Sequence, residues 1–379
     1  MGMILTEEQQ LLRDSARDFI EAKSPVNALR ALRDSGDSKG YSPDLWKEMV
    51  DLGWAGVVIP EEFGGLGFGM QGLGLILEET GKTLTASPLV STVLTCGSAL
   101  MLGGNEAQKS EFLPKIAAGD VLMSLALEEK PHHAPTAIAT TADKSGEGYA
   151  ISGKKTFVLD GHIADHLIVV ARTNGTTNDD RGITLFIVPA TADGITTTRT
   201  TMVDSRNAAT VEFKNVQVGA EAVLGSVDSG LELLDQVLDR ARIGLAAEML
   251  GSAQQVFDTT LAYLKERKQF GVVIGQFQAL QHRAAKMFTE LELCRSIVLE
   301  ALTAVDENAN NVSLLASLAK GKVSEAFHLI AREGVQMHGG IGMTDEYDIG
   351  LYLKRSAVAE QTFGGPRFHS DRYAAIEGY

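Results

Sequence analysis

The spacing of apolar residues changes twice along the chain, and these two changes constrain the fold more than any other feature. Up to about residue 118, apolar residues recur every three or four positions, as in amphipathic helices. From about 120 they alternate with polar residues and many are β-branched, as in strands, and from about 226 the helical spacing returns. The sequence therefore predicts an α+β protein with an N-terminal helical domain (1–118), a middle antiparallel β-domain (119–225) and a C-terminal four-helix bundle (226–379).

Seven segments of the middle block have strand character, and Gly, Asn and Asp turns separate them. They are VLMSLALE, TAIATTAD, YAISGKKTFVL, HLIVVART, ITLFIVPA, GITTTRT and ATVEFKNVQV. Strands joined by turns pair with their neighbours, so we expect an antiparallel sheet of about seven strands.

The C-terminal block predicts four long helices with short connections, which favours an antiparallel bundle. The first is LELLDQVLDRARIGLAAEMLGSAQQVFDTTLAYLKERKQF, and the others lie near 277–305, 313–338 and 346–362. The last helix runs into Phe363-Gly364-Gly365-Pro366. Glycine past a helix end, followed by proline, is an ordinary stop signal.

The beginning of the chain, MGMILTEEQQ, allows two interpretations. Gly2 followed by Thr6 matches the pattern for N-myristoylation. Thr6 is also a suitable helix cap, with Gln9 completing a capping box, and we prefer this interpretation.

Composition excludes several classes of function. The formal net charge of −15 argues against nucleic acids and anionic membranes as main partners. The only cysteines, Cys96 and Cys294, support neither a disulfide framework nor a zinc site, and His132-His133 is expected to be solvated. No run of 18 apolar residues occurs, so no membrane span is predicted, and the expected compartment is the cytoplasm.

A glycine pattern, Gly67-x-Gly69-x-x-Gly72, fits the dinucleotide-binding fingerprint G-x-G-x-x-G. The true fingerprint follows a strand directly, whereas here PEEFGGL intervenes and helices follow. A loop that must pack closely is therefore the better interpretation.

Two further stretches have the residue types of a diphosphate site. In ERKQFGVVIGQFQALQ, Arg267 follows a long helix and Gln278 opens the next, so Arg267 either clamps a diphosphate or lies on a solvated corner. In VQMHGGIGMTDEYDIG, Gly339-Gly340 follows Gln336 and either admits a ligand close to the backbone or only ends a helix.

Taken together, these residues resemble the acyl-CoA dehydrogenase family over essentially the whole chain. The resemblance rests on five features: PEEFGGLG, the order of the three blocks, FKNVQVGAEAVLG, ERKQFG with Gln278, and Q-x-x-G-G at 336–340. It implies FAD as the cofactor, α,β-dehydrogenation of an acyl-CoA thioester, and FAD sites completed by a neighbouring subunit's bundle. The residues it assigns to the partner's FAD diphosphate and adenine are Arg267, Phe270, Gln278, Gln336, Gly339 and Gly340.

The resemblance also identifies a missing residue. Members of the family remove the α proton with a glutamate, either in a Tyr-Glu-Gly-Thr motif or in a Glu-Arg pair on the long helix. The first position here is Gly364 and the second is Ala241, with Arg242 retained. Neither position has a carboxylate, so no catalytic base is assigned.

The chain also departs from the family pattern in its own flavin cleft. Where the family has Thr-Glu-Pro-x-Ala-Gly-Ser-Asp, this chain has LEEKPHHA, with Leu127 and His133 in place of hydroxyl residues. The family Trp-Ile-Thr is Phe157-Val158-Leu159 here. These changes resemble the small subunit of pimeloyl-CoA dehydrogenase and the base-less subunits of bacterial steroid side-chain acyl-CoA dehydrogenases, which form α2β2 heterotetramers.

Three functions remain open at this point. The favoured one is a non-catalytic subunit that completes the FAD site of a base-carrying partner. The second is a homomeric dehydrogenase with a relocated base, for which Glu360 or Asp239 is the candidate. The third is a scaffold or acyl-CoA-binding protein without chemistry. Steroid, dicarboxylic and simple acyl thioesters all remain candidate substrates.

Overall fold

A computed structural model describes residues 5–379, so Gly2 lies outside the described residues. The described chain contains eleven α-helices. They are α1 (Glu7–Lys23), α2 (Val26–Ser35), α3 (Pro43–Asp51), α4 (Gly69–Lys82), α5 (Gly97–Gly103), α6 (Glu106–Ala117), α7 (Gly230–Glu266), α8 (Gln278–Asp306), α9 (Val312–His338), α10 (Ile349–Gln361) and α11 (Pro366–Ile376). A π-helical segment, Leu89–Cys96, leads directly into α5.

Ten strands complete the described structure. They are β1 (Met123–Ala126), β2 (Thr141–Ser145), β3 (Gly148–Leu159), β4 (His166–Arg172), β5 (Ile183–Pro189), β6 (Ile195–Thr201), β7 (Asn207–Val218), β8 (Val223–Leu224), β9 (Lys268–Gln269) and β10 (Val272–Val273). The first eight form one sheet, and the last two form a separate hairpin.

The chain divides into two compact units. The first contains the chain up to Ala31, Met70–Thr85 and Arg242–Tyr379, and the second contains Leu32–Gly69 and Ala86–Ala241. No helix of the described residues is both long enough and apolar enough to cross a membrane. The predicted capping box is confirmed, because Thr6 Oγ1 accepts from Gln9 N and Gln9 Oε1 accepts from Thr6 N.

In the first unit, the segments of α4 and α7 approach each other at two glycines. A Cβ on Gly81 would lie 2.0 Å from the Glu248 carbonyl oxygen, and one on Gly251 would lie 1.8 Å from that of Glu78. Ser252 Oγ also donates to the Gly81 carbonyl at 2.8 Å. Only glycine permits this backbone contact. Helix α9 packs against α8, α10 and α11, which builds the predicted bundle.

The sheet of the second unit has the strand order β6-β7-β3-β2-β4-β5-β8, and β1 pairs with β4. Most pairs are antiparallel, as expected, but β1 runs parallel to β4, and so does the single pair that joins β2 to β4. The predicted strand at 136–143 begins only at Thr141, because the preceding residues belong to a long loop. Its core includes Tyr149 and Phe186, whose rings meet edge to face at 5.1 Å.

The predicted helix stop is confirmed at the end of the bundle, where α10 ends at Gln361. The structure adds that Pro366 is the first residue of α11, with Gly365 as N-cap. Proline suits the first helical position because its missing N–H would have no helical acceptor there. Phe363-Gly364-Gly365-Pro366 therefore ends one helix and begins the next.

Candidate cofactor-binding site

The corner after α7 is a two-residue hairpin that exposes an aromatic side chain. Lys268 pairs with Val273 and Gln269 with Val272, which leaves Phe270-Gly271 as the turn. Both turn residues have positive φ, +53° and +79°, as a type I′ turn requires. Asn or Gly usually occupies the first position, so phenylalanine is an uncommon choice there. The Phe270 side chain is 90% exposed, and Arg267 at the base of the hairpin is also exposed.

Helix α8 begins at Gln278 without a side-chain cap. Phe277 is the N-cap residue and accepts no side-chain hydrogen bond from the first turn. The first backbone N–H groups of a helix lack intrahelical acceptors and carry partial positive charge, so such a terminus favours an anion. Gln278 is exposed at this terminus.

The end of α9 exposes bare backbone. Gly339 has φ +64° and ψ −140°, a conformation that glycine alone adopts readily. A Cβ added to Gly339 or Gly340 would meet nothing within 4 Å. A cavity of about 370 Å³ opens here, and its lining residues are Arg332, Val335, Gln336, Gly339, Gly340, Met343 and Leu353.

Two tertiary contacts bring these three stretches to one end of the bundle. Tyr263, one turn before Arg267, donates its hydroxyl to the His338 carbonyl at 3.3 Å, and the two rings lie 4.4 Å apart. Arg283, in the second turn of α8, pairs with Glu333 of α9. The predicted residues Arg267, Phe270, Gln278, Gln336, Gly339 and Gly340 therefore belong to one region of the first unit. Their role in binding a cofactor stays a prediction.

The region missed by the sequence analysis lies around the absent base. Gly364 has φ +106° and Phe363 has φ +59°, so two successive residues are left-handed. Lys320 Nζ donates to the carbonyls of Gly364 at 3.0 Å and Glu360 at 2.9 Å. Arg242 Nε donates to the Phe363 carbonyl at 3.2 Å. Two buried cations thus hold the turn by its backbone.

Lys320 is fully buried, and its third bond goes to Ser324 Oγ at 3.1 Å. Burial lowers the pKa of Lys320 to about 7; the charge of Glu360 raises the pKa in part, whereas Arg242 and Arg355 lower it. The available sequence signal was a lysine within the apolar spacing of LLASLAKGKVSEAF.

Neither candidate for a relocated base stands free. One carboxylate oxygen of Glu360 accepts from Gln361 Nε2 at 3.0 Å, and the other lies 3.8 Å from His328 Nδ1. Asp239 is only 1% exposed. A carboxylate that abstracts a proton must reach its substrate, and neither geometry favours this role.

The loop between β1 and β2, residues 127–140, is held by buried charges. Lys155 is fully buried and donates to Glu129 Oε1 at 2.7 Å and to the Leu127 carbonyl at 3.0 Å. Glu129 also accepts from the backbone N–H groups of Ala139 and Thr140. The Leu127 carbonyl at one end of this loop and the Ala139 and Thr140 N–H groups at the other are therefore bonded within the unit.

Both members of this ion pair have shifted pKa values. Burial lowers the pKa of Lys155 to about 8, although the charge of Glu129 and the hydrogen bond to it raise the pKa in part. Burial raises the pKa of Glu129, but the charge of Lys155 and the hydrogen bonds that Glu129 accepts outweigh burial and leave it below its ordinary value.

The positions that depart from the family pattern lie in the loop after β1 and at the end of β3. His133, in the place of a family hydroxyl, was wrongly expected to be solvated: its side chain is only 2% exposed and bonds through Nδ1 to Glu128. Leu127 is buried. Phe157 is left-handed, with φ +54°, and 37% exposed, next to a register shift between β3 and β7. Val158 beside it is buried.

The remaining motifs carry no site. Gly67-x-Gly69 lies in a loop that leads into α4, and no strand precedes Met123 among residues 5–379, which agrees with a packed loop. The described residues contain no group of three or more metal-ligating side chains. Both cysteines are free and buried, and burial raises the pKa of the Cys294 thiol to about 12.

Family models match three consecutive parts of the chain. The model of the acyl-CoA dehydrogenase N-terminal domain matches residues 6–120, that of the middle domain matches 127–216, and that of the C-terminal domain matches 228–367.

Individual proteins resemble the chain over nearly its full length. A Bacillus subtilis (strain 168) protein described as probable acyl-CoA dehydrogenase YngJ is 33% identical over 95% of each chain. The structure of butyryl-CoA dehydrogenase from Megasphaera elsdenii is 28% identical, with a TM-score of 0.91 and full coverage of both chains. A variant of the Tcur3481-Tcur3483 steroid ACAD is 31% identical, with a TM-score of 0.88 over 98% of each chain.

Proposed function

The chain belongs to the acyl-CoA dehydrogenase family of FAD-dependent oxidoreductases that act on acyl-CoA, and from this premise we propose that it is the base-less subunit of a heteromeric enzyme. Its bundle would complete the FAD site of a partner chain that carries the catalytic glutamate. The observation that carries the proposal is the turn at Gly364: the base position has no side chain, and its φ of +106° is one that a glutamate would rarely adopt.

FAD is the cofactor, and the bundle end fits it. When bound, FAD supplies the hydride acceptor that protein side chains lack. Arg267 and the open N-terminus of α8 at Gln278 would hold the diphosphate by charge and backbone N–H groups. Gly339-Gly340 would admit the cofactor close to the backbone, because side chains there would narrow the cavity.

Phe270 supports the same assignment. A left-handed, almost fully exposed phenylalanine strains the backbone and buries little surface within the chain. An aromatic residue in such a position is more easily explained by a contact outside its own chain. We propose that its ring packs on the FAD held by the partner.

The identity of the partner is also part of the proposal. We propose an α2β2 heterotetramer whose second chain is a base-carrying acyl-CoA dehydrogenase. The similar Tcur3481-Tcur3483 steroid ACAD, whose name joins two chains, supports a two-chain enzyme, and a steroid thioester is then one candidate substrate. The free cysteines support the cytoplasm as compartment. We keep 1–118, 119–225 and 226–379 as the proposed domains.

The test is the flavin content of the assembly. The chain is expressed alone and together with a candidate base-carrying acyl-CoA dehydrogenase chain, and FAD and protein are measured by absorbance after size-exclusion chromatography. We expect one FAD for each pair of chains in the complex and no flavin in the chain alone. A yellow homotetramer with one FAD per chain would contradict the proposal and favour the homomeric enzyme.

A further inference from the structure

The cavity at the end of α9 contains a cation that the family resemblance does not assign. Arg332 and Gln336 are four residues apart on α9, so their side chains project from the same face of the helix. Both line the cavity of about 370 Å³ together with Gly339 and Gly340. Arg332 therefore lines the same cavity as Gln336, Gly339 and Gly340, which the family resemblance assigns to FAD.

The Arg332 side chain has no hydrogen bond or ion pair with any residue in the described range 5–379. Two of the carboxylates nearest to it in sequence are already paired, Glu333 with Arg283 and Asp345 with Arg30. The positive charge of Arg332 thus faces the cavity region without a protein counter-ion. An arginine in this state suits an anion that can take two parallel hydrogen bonds, such as a phosphate.

The rest of the lining is apolar. Val335, Leu353 and Met343 contribute side chains, and Met343 is 79% exposed although it is large and apolar. An adenosine diphosphate group has a flat ring at one end and two negative charges at the other. The cavity offers the matching combination of apolar surface, open glycine backbone, an amide and a guanidinium.

We propose that Arg332 is a phosphate-binding residue that contacts the diphosphate of an ADP-containing ligand in this cavity. The inference rests on the proposed function for the location of the site, and it adds a second arginine to Arg267. With Arg267 just after α7 and Arg332 on α9, each of the two diphosphate charges has a cationic partner. FAD and coenzyme A both contain an ADP diphosphate, so the shared chemistry is assigned and the experiment separates the two sources.

The experiment measures ligand dissociation constants of the assembled protein, in whichever assembly binds flavin. Flavin is removed reversibly, and FAD is titrated back with its fluorescence as the signal; coenzyme A is titrated separately into the holoprotein by calorimetry. The variants are Arg332→Gln and Arg332→Lys, with Arg267→Ala for comparison. Lys47→Gln, which removes an exposed cation from α3, controls for net charge.

We expect Arg332→Gln to weaken binding of one ligand about 10- to 100-fold, as the loss of a charged hydrogen bond does. Arg332→Lys should give an intermediate constant, because it keeps the charge but cannot form the two-point contact. Lys47→Gln should bind both ligands normally. Weaker FAD binding identifies the cofactor as the ligand, and weaker coenzyme A binding identifies the substrate.

Unchanged constants for both ligands in a folded Arg332→Gln protein would overturn the inference. If Arg267→Ala still loses FAD in that case, the proposed function stands and only the role of Arg332 is wrong. If neither arginine variant loses FAD, the assignment of the bundle end fails as well. Urea denaturation of each variant confirms that an altered constant does not come from unfolding.

Discussion

Two regions of this molecule treat their polar groups in opposite ways. At the bundle end, Arg267, Gln278 and Gln336 are exposed, α8 has no side-chain cap, and two glycines offer bare backbone. In the loop of residues 127–140, both glutamates are bonded to the chain itself, Glu128 to His133 and Glu129 to the buried Lys155 at 2.7 Å. The first region has hydrogen-bonding groups that a ligand could take, whereas both glutamates of the loop are already bonded to the chain.

The base position resembles the second region, because its polar groups are also bonded within the chain. The turn at Phe363-Gly364 has no titratable side chain, and Lys320 and Arg242 are committed to its backbone carbonyls. In a chain that catalysed the reaction itself, we would expect an ionisable side chain at this turn and unbonded hydrogen-bond donors in the loop of residues 127–140. The contrast instead matches a subunit that contributes to a neighbour's site and has closed its own.

The largest expected effect comes from removing the buried ion pair that holds the loop of residues 127–140. Lys155→Met leaves Glu129 buried without its partner, and loss of one member of a buried ion pair costs about 3–5 kcal/mol in the free energy of unfolding. Lys154, the adjacent lysine, pairs with Glu212 at 3.0 Å on the surface, so Lys154→Met should cost no more than about 1 kcal/mol. Urea denaturation measures both, and equal costs would mean that the loop is not held by this buried pair.

The second prediction concerns pH and the turn. The pKa of Lys320 is about 7 in the folded chain and near 10.5 when unfolded. Between these values the unfolded chain binds more protons, so stability should rise with pH, by at most about 1.4 kcal/mol per unit. Lys155, with a pKa of about 8, adds a similar slope above pH 8.

Lys320→Met isolates the first contribution. The variant should lose the slope between pH 7 and 8 and keep the slope that Lys155 produces at higher pH. The slope is diagnostic whether or not the variant is less stable overall, because unpaired carbonyls change the free energy of unfolding equally at each pH. A variant with the wild-type slope between pH 7 and 8 would show that Lys320 does not titrate there.

Much of the fold was predictable from sequence, because it depends on local periods and caps. The helices of the bundle and most strands lie where the apolar spacing placed them. The parallel pairing of β1 with β4 was not predictable, since it joins strands separated by two others and leaves no local pattern. Pro366 was ambiguous, because proline both follows helices and begins them.

For the candidate site, sequence identified residue types but not their surroundings. Arg267 and Gln336 stood out as motif residues, yet only the contact of Tyr263 with His338 brings their stretches together. Lys155 and Lys320 gave almost no signal, because their partners are backbone carbonyls or a distant glutamate. Burial of a lysine depends on tertiary contacts that no spacing of residues reveals.

A third prediction restores the missing carboxylate. Gly364→Glu should not give the chain dehydrogenase activity, and it should lower the free energy of unfolding by about 1–3 kcal/mol, because φ of +106° strains any side-chain residue. Gly365→Ser is the matched control, since Gly365 has φ −83° and caps α11. We expect the control to be neutral or slightly more stable. A Gly364→Glu chain that alone binds FAD and oxidises an acyl-CoA would refute the closed-site interpretation.

The smallest expected effect concerns Phe270 at the bundle end, where a substitution should change stability and FAD binding in opposite directions. Phe270 is left-handed and 90% exposed, so Phe270→Asn should raise the free energy of unfolding by about 0.5–1 kcal/mol, because Asn-Gly suits a type I′ turn. The same variant should weaken FAD binding in the assembled protein, since it removes the proposed ring contact. Urea denaturation and FAD titration measure the two effects.

Gly271→Ala is the control for changes in the turn itself. It should reduce stability, because Ala is strained at φ +79°, but it leaves the Phe270 ring in place. If Phe270→Asn gains stability without any loss of FAD affinity, the strained phenylalanine has no role in the cofactor site.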